Sequence, residues 1–197
     1  MTRSDEYGGW SFLQYRSCMA PEPSAWILVI GDRDSLAWVL AEGRTVFPAT
    51  RARAVQRLKA GDKLFIYTTR GCFHSPTRHR GRVIGEATVL GPVLPLNEPV
   101  SFVDRIFPLG CDLRIDSLAP LGLGVDLAAL VPEMDVFAVK ESWPVYLRRT
   151  TVPLGDGDAK LLRNKLKHVA TTPSEWIEAY LQMAGTGSIT AGRGVRF

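Results

Sequence analysis

Hydrophobic residues occur along this chain in short runs that Gly, Pro and charged residues separate. The run at residues 26–30 is continuously apolar and rich in β-branched side chains, which predicts a buried strand. Apolar residues at helical spacing follow at 36–40, after Asp34 and Ser35, either of which is a suitable N-cap, and before Gly43, which ends the pattern. The chain therefore opens with a strand followed by a helix.

The rest of the pattern alternates between further short strands and short helices. Gly85 interrupts one long apolar run, where it allows a bulge or tight curvature of a barrel. Short strands interleaved with brief helices favour an α+β fold, a PUA-like mixed β-barrel flanked by short helices, over a doubly wound parallel sheet. Strands are predicted over residues 63–69, 82–90, 100–107, 111–117, 136–140 and 145–152, and helices over 50–60, 126–131, 158–169 and 173–183.

Length and composition favour one folded unit, because 197 residues of which 46% are hydrophobic can bury a sizeable core. We expect a single domain over residues 25–184, an N-terminal extension over 1–24 and a flexible Gly-rich tail over 185–197. No apolar run approaches the roughly 20 residues of a membrane span. The lack of a secretory pattern and the three widely spaced cysteines favour the cytoplasm.

Positive charge is concentrated in the middle of the chain. Residues 44–82 contain ten Lys or Arg and a single acid, Asp62, so this segment has a net charge of +9 although the whole chain has only +4. A local excess of this size attracts phosphates and gives salt-sensitive binding. A solvated basic surface without a ligand is an equally good explanation of the charge alone.

The sequence contains no common catalytic motif. It lacks the G-x-S-x-G elbow, the G-x-x-x-x-G-K-[ST] loop and the H-E-x-x-H pair. Cys72, His74 and His79 lie within one predicted loop, but a structural zinc site takes four ligands and no fourth is evident. We therefore expect no metal, no cofactor and no catalytic residue.

One alternative is a metal-dependent nuclease. Asp135, Asp158 and Lys160 loosely match a pattern in which two carboxylates hold Mg²⁺ and a lysine stabilises the developing phosphate charge. Asp158 is better explained as the N-cap of the helix that follows it. A domain that binds a small molecule or a protein is a further alternative.

Aromatic residues accompany the basic segment, a composition that suits base stacking beside backbone contacts. Trp38 and Tyr67 are equally well explained as core residues. Phe47, which precedes a proline, and Phe73, in a loop, have less reason to be buried. The binding hypothesis requires that these rings and the neighbouring arginines face one solvent-open hollow.

The order of these elements resembles the EVE domain, a member of the PUA-like superfamily and a relative of the YTH domain. The resemblance covers roughly residues 25–153. In that family a Gly-Asp turn, here Gly61-Asp62, leads into a strand that ends in Tyr, here Tyr67. The next strand carries an Ile/Val-Gly-x-Ala-x-Val run, which Ile84-Gly-Glu-Ala-Thr-Val89 matches. The resemblance implies a β-barrel whose cleft captures a single base, often a modified one, in an aromatic cage.

The resemblance and the charge pattern together give a candidate site for nucleic acid, either DNA or RNA, in a non-catalytic protein. Phe47 stands where the family usually has a cage Trp, and Ala52 replaces its Asn. The base-binding candidates are Gly31, Asp32, Trp38, Phe47, Thr50, Arg51, Tyr67, Thr68, Thr69 and Phe73. The phosphate-binding candidates are Arg53, Arg57, Arg70, Arg78, Arg80 and Arg82.

Overall fold

A computed structural model of the protein describes residues 23–74, 79–102 and 105–184. The predicted extension and tail therefore lie almost entirely outside the described residues. The strands are β1 Ala25–Ile30, β2 Arg44–Phe47, β3 Lys63–Thr68, β4 Arg82–Val89, β5 Leu94–Phe102, β6 Arg105–Leu118, β7 Val125–Asp126 and β8 Thr151–Leu154. The α-helices are α1 Arg33–Glu42, α2 Ala52–Val55, α3 Leu127–Leu130, α4 Trp143–Tyr146, α5 Asp156–Leu166 and α6 Ile177–Ala184.

The strands form one curled sheet, a half-barrel, in the order β2-β6-β4-β3-β1-β8. The pairing of β1 with β3 is parallel, whereas the other pairs along this path are antiparallel. The strand β5 pairs with the first part of β6, and the short β7 pairs with β4. A mixed sheet of this kind, flanked by short helices, confirms the predicted α+β fold and barrel-like architecture.

Apolar side chains cover both faces of the sheet because its central strands are buried on each side. Along β3, Leu64 and Ile66 belong to one core cluster, and Phe65 and Tyr67 belong to the other. Successive side chains of a strand point to opposite faces, so one continuous apolar run supplies both cores. The first cluster lies against α1, α2 and α6, and the second lies against α3 and α5.

Helix α1 begins slightly earlier in the chain than predicted. Its N-cap is Asp32, whose Oδ1 accepts hydrogen bonds from the backbone N–H groups of Asp34 and Ser35 at 2.9 and 3.0 Å. The prediction of Asp34 or Ser35 as the cap was therefore wrong. Gly43 ends the helix as predicted, in the left-handed conformation with φ of 59°.

Four other predicted elements differ from the structure. The strand predicted over 100–107 is two strands, because the chain reverses and Val100 pairs with Phe107. Residues 136–140 are not a strand, although Phe137 is fully buried there. The stretch 145–152 divides between α4 and β8, and the helix predicted over 50–60 shortens to a 3₁₀ turn, Ala49–Arg51, followed by α2.

Asp158 does not cap a helix. The N-cap of α5 is Gly155, and Asp158 lies within the first turns with its side chain buried. Its two carboxylate oxygens accept the backbone N–H groups of Asp135 and Val136, each at 2.8 Å. Asp158 therefore fixes the irregular segment before Phe137 onto α5, which a local cap rule does not anticipate.

Candidate functional site

A cavity of about 440 Å³ opens where β1 ends, between β1 and β2. These two strands are not paired with each other in the half-barrel, so the gap between them is not closed by backbone hydrogen bonds. Phe102, Arg105 and Phe107 of the β5–β6 hairpin form one side of the cavity, and residues 147–150 form another. Its position is therefore set by the opening of the sheet.

Two aromatic side chains of the hairpin form an apolar wall. Phe102 and Phe107 both line the cavity, with 5.6 Å between ring centroids and an angle of 59° between ring planes. Behind them, the buried ring of Trp38 meets Phe102 edge to face. Both phenylalanines are half-buried, so part of each ring is accessible to a ligand.

Three arginines surround the cavity. Arg105 lies on the hairpin with its guanidinium 5.5 Å from the centroid of the Phe107 ring. Arg148 and Arg149 are exposed neighbours in the segment before β8. The Val29 N–H donates to the Thr150 carbonyl at 2.9 Å and so holds this segment against β1. Among the described residues none of these three guanidinium groups has a carboxylate partner. The cavity therefore combines an apolar wall with positive charge that is available to a ligand.

The structure brings three of the predicted base-binding residues to this cavity. Gly31 and Asp32 line it at the end of β1, and Thr69 lines it directly after β3. They meet because β1 and β3 are parallel neighbours and end at the same edge of the sheet. Their role toward a ligand stays a prediction.

Three of the four predicted stacking rings do not converge on one hollow, so the arrangement that the sequence-based binding hypothesis requires is not formed. Phe47 is fully buried in the first core cluster together with Trp38, and neither ring lines the cavity. Tyr67 belongs to the second cluster on the opposite face of the sheet. Burial, with a smaller contribution from Asp126, raises the pKa of Tyr67 to about 12. The expectation that Phe47 has little reason to be buried was wrong, because β2 carries its side chain into the barrel.

The loop after β3 packs against the fold beside the cavity. The Thr68 side chain is buried, and its hydroxyl donates to the Arg82 carbonyl at 3.3 Å. The half-buried ring of Phe73 meets His79 edge to face at 4.4 Å. Burial, together with Arg82, lowers the pKa of His79. Neither Thr68 nor Phe73 lines the cavity.

The basic segment is distributed over several surfaces. Arg44 pairs with Asp112 at 2.8 Å, Lys63 with Asp116 at 3.0 Å, and Arg80 with Asp126 at 3.3 Å. Because acids from other parts of the chain pair with these three cations, the segment presents less positive charge to a ligand than its net charge of +9 suggests. Thr50 and Arg51 lie on the 3₁₀ turn after β2, Arg53 lies on α2, and Arg57 lies in the turn after α2; all four are exposed. Arg70 is exposed, Arg82 is half-buried, and Arg78 lies outside the described residues.

The described residues do not assemble the predicted nuclease site. The carboxylate of Asp158 is buried and already accepts two backbone N–H groups, whereas Asp135 and Lys160 are exposed. No group of three His, Cys, Asp or Glu side chains able to hold a metal ion occurs in this part of the chain. In the same part, burial and the nearby Asp32 raise the pKa of Cys72 to about 12, so its thiol is a poor ligand or nucleophile.

Sequence reasoning missed the five residues that form the aromatic wall and the positive charge of the cavity. The sequence does carry a weak signal for the hairpin. Aromatic residues stand at 102 and 107, on either side of a short stretch that contains the polar residues Asp and Arg. The arginine pair at 148–149 lies far outside the basic segment at 44–82. The missed residues are Phe102, Arg105, Phe107, Arg148 and Arg149.

Among the described residues, no helix combines the length and the apolar character that a membrane span requires.

Comparison with known proteins supports the fold. No family model matches the sequence, and no curated protein matches it. Among solved structures, the YTH domain of Mmi1 in complex with RNA aligns with a TM-score of 0.51 and 11% identity over 84% of this chain and 94% of that chain. A protein of Rhodopseudomonas palustris aligns with a TM-score of 0.47 and 14% identity, over 74% of this chain and 94% of that one. A hypothetical protein of Leishmania major gives 0.48 and 14%, over 75% and 97%. The chain has a YTH-like fold.

Proposed function

We propose that this domain is a non-catalytic module that binds nucleic acid and takes one base into the cavity between β1 and β2. The observation that carries the proposal is the combination, around one cavity, of two half-buried phenylalanine rings with three arginines that have no carboxylate partner among the described residues. Aromatic rings stack on the face of any base, and guanidinium groups bind the phosphates on either side of it.

The energies favour a single-stranded ligand. Stacking of a base on an aromatic side chain contributes about 1–3 kcal/mol. Extraction of a base from a duplex costs a few kcal/mol. A strand whose bases are already unpaired avoids most of that cost, so Arg105, Arg148 and Arg149 then add net affinity through the backbone.

The fold supports this proposal, because the Mmi1 YTH domain with the same fold was solved in complex with RNA. We further propose that the chain is an EVE-type member of this group and that the captured base is a modified one. The run at residues 84–89 supports the first point, since it matches the Ile/Val-Gly-x-Ala-x-Val pattern of that family and lies in the strand β4. The exposed set Arg51, Arg53 and Arg57 is proposed to extend the phosphate contacts beyond the cavity.

The test is a titration of labelled single-stranded RNA, single-stranded DNA and duplex, with plain and modified bases, followed by fluorescence anisotropy over a range of salt concentrations. The log of the affinity should fall linearly with the log of salt. For the R148A/R149A variant the slope should decrease by about 0.7 for each phosphate that the variant no longer binds. A matched control is K160A/K165A, which removes two exposed charges from α5 on the other side of the sheet. A flat salt response, or equal losses of affinity in both variants, would contradict the proposal.

A second candidate function is the binding of a small molecule. The cavity volume of about 440 Å³ lies within the range of about 300–1,000 Å³ that is usual for such sites. Thermal-shift screening of nucleosides, nucleotides and a metabolite panel separates the two candidates. Stabilisation by a metabolite without a base, together with no affinity for any oligonucleotide, would favour the second.

A further inference from the structure

Asp32 is an acidic residue in a cavity that is otherwise surrounded by positive charge. Its Oδ1 is committed to the start of α1, where it accepts the backbone N–H groups of Asp34 and Ser35. Its Oδ2 has no hydrogen-bond donor among the described residues. The imidazole of His74 lies close to it, but its Nε2 is 3.8 Å from Oδ2 and is therefore beyond hydrogen-bond distance. The Oδ2 atom of this cavity-lining carboxylate can therefore accept a hydrogen bond from a ligand.

An ionised carboxylate accepts hydrogen bonds and cannot donate them. The side chains that line the same cavity with hydrogen-bonding groups are otherwise arginines, which only donate, and the hydroxyls of Ser35, Thr45, Thr69 and Thr150. A ligand that presents an N–H group to Asp32 satisfies the acceptor. A ligand that presents a carbonyl oxygen there leaves two acceptors facing each other, which costs free energy in a partly enclosed site.

We infer that the cavity selects a base with an exocyclic amino group, namely adenine, cytosine or guanine, over uracil or thymine. The inference rests on the proposed function. Oδ2 of Asp32 accepts the amino N–H, as carboxylates accept the amino group of cytosine in duplex readout. Uracil offers a single N–H flanked by two carbonyl oxygens, so its approach to a carboxylate is opposed on both sides.

The substitution Asp32→Asn tests this inference without removing the helix cap. Asn is as good an N-cap as Asp, so its Oδ1 still accepts the N–H groups of Asp34 and Ser35. Its Nδ2 replaces Oδ2 and turns the open acceptor into a donor. A second variant, Asp32→Ser, keeps a capping oxygen and removes the second oxygen altogether. Thermal unfolding of both variants checks that the fold is retained.

The ligands are uridine oligonucleotides that carry one central adenosine, cytidine or guanosine, compared with the all-uridine strand. The wild-type protein should bind the substituted strands at least about fivefold more tightly than the all-uridine strand. In Asp32→Asn this preference should disappear or invert, and in Asp32→Ser it should disappear. Asp34→Asn, which removes the same charge from the first turn of α1 outside the cavity, should keep it.

Two kinds of failure are distinguishable. If wild type binds every strand with equal affinity in a salt-dependent manner, or if Asp32→Asn keeps the wild-type preference, the inference is wrong and the proposed function stands. If wild type binds none of these strands, and none of the plain or modified strands of the titration above, even at low salt, the proposed function fails and the inference fails with it.

Discussion

The ring of Trp38 on α1 meets the ring of Phe102 on β5 edge to face, with 5.9 Å between their centroids. Trp38 is buried in the core, whereas Phe102 lines the cavity. The pair therefore joins the rigid interior of the half-barrel to the wall that is proposed to stack on a base. A side chain that is packed in this way loses little conformational freedom when a ligand binds.

Phe102→Ala should weaken oligonucleotide binding by roughly 5-fold to 150-fold, because stacking on one aromatic ring contributes about 1–3 kcal/mol. Anisotropy titrations at fixed salt measure the decrease in affinity. Leu94→Ala on the same strand is the control, since Leu94 is exposed and does not line the cavity. Equal affinity of Phe102→Ala and wild type would show that this wall does not contact the ligand.

Gly85→Ala should destabilise the sheet by about 1–3 kcal/mol, the usual cost of overpacking. A Cβ at this position would lie 2.5 Å from the carbonyl oxygen of Ser117 on the neighbouring strand β6, so the backbone would have to move. Gly91→Ala is the control, because a Cβ there meets nothing within 4 Å. Urea unfolding of both variants measures the difference, and similar midpoints would contradict the close approach as its cause.

Local patterns were sufficient to predict the fold class and several of its elements, but not the strands β2 and β7. The strands β1, β3 and β4 follow from apolar runs, and the helices α1 and α5 follow from helical spacing, which Gly43 ends in α1. The prediction failed where long-range contacts override local preference. Phe137 is buried without belonging to a strand, because Asp158, from the later helix α5, binds the backbone before it.

The candidate site was predicted only in part, for a physical reason. Gly31, Asp32 and Thr69 were named through the family resemblance, and the structure places them together because the strands that precede them are parallel neighbours. The rings were assigned wrongly because a sequence does not say toward which face of a curled sheet an aromatic residue points. Phe47 and Tyr67 lie on opposite faces, and the accessible rings come from a hairpin that the sequence pattern had represented as one strand.

Asp158→Ala should lower the free energy of unfolding, because it removes both hydrogen bonds to the part-buried N–H groups of Asp135 and Val136, each of which contributes about 0.5–1.5 kcal/mol or somewhat more to a charged acceptor. Asp135→Ala should have little effect, since the side chain of Asp135 is exposed and only its backbone is bound. Urea unfolding gives both values. A nuclease would respond differently: Mg²⁺-dependent cleavage of RNA or plasmid by wild type, abolished in both variants, would restore that alternative.

His79 should make the protein less stable as the solution is acidified. Burial, and then the charge of Arg82, lowers the pKa of its imidazole below the ordinary value of 6.5. As the pH falls, the His79 imidazole therefore takes up its proton at a higher pH in the unfolded chain than in the folded protein. The free energy of unfolding decreases from about pH 6.5 down through the folded-state pKa, and below that pH no further decrease arises from this group.

His79→Gln removes this proton uptake, so its melting temperature should fall less than that of wild type between about pH 7.5 and pH 5, above the range in which carboxylates protonate. The quantity compared is the change in melting temperature between the two pH values. The variant lacks the ring contact with Phe73 at both, so the loss of that contact does not affect the comparison. His168→Gln, at an exposed position on the segment after α5, should leave the wild-type change intact. The same drop in His79→Gln as in wild type would mean that another group is responsible for the acid sensitivity.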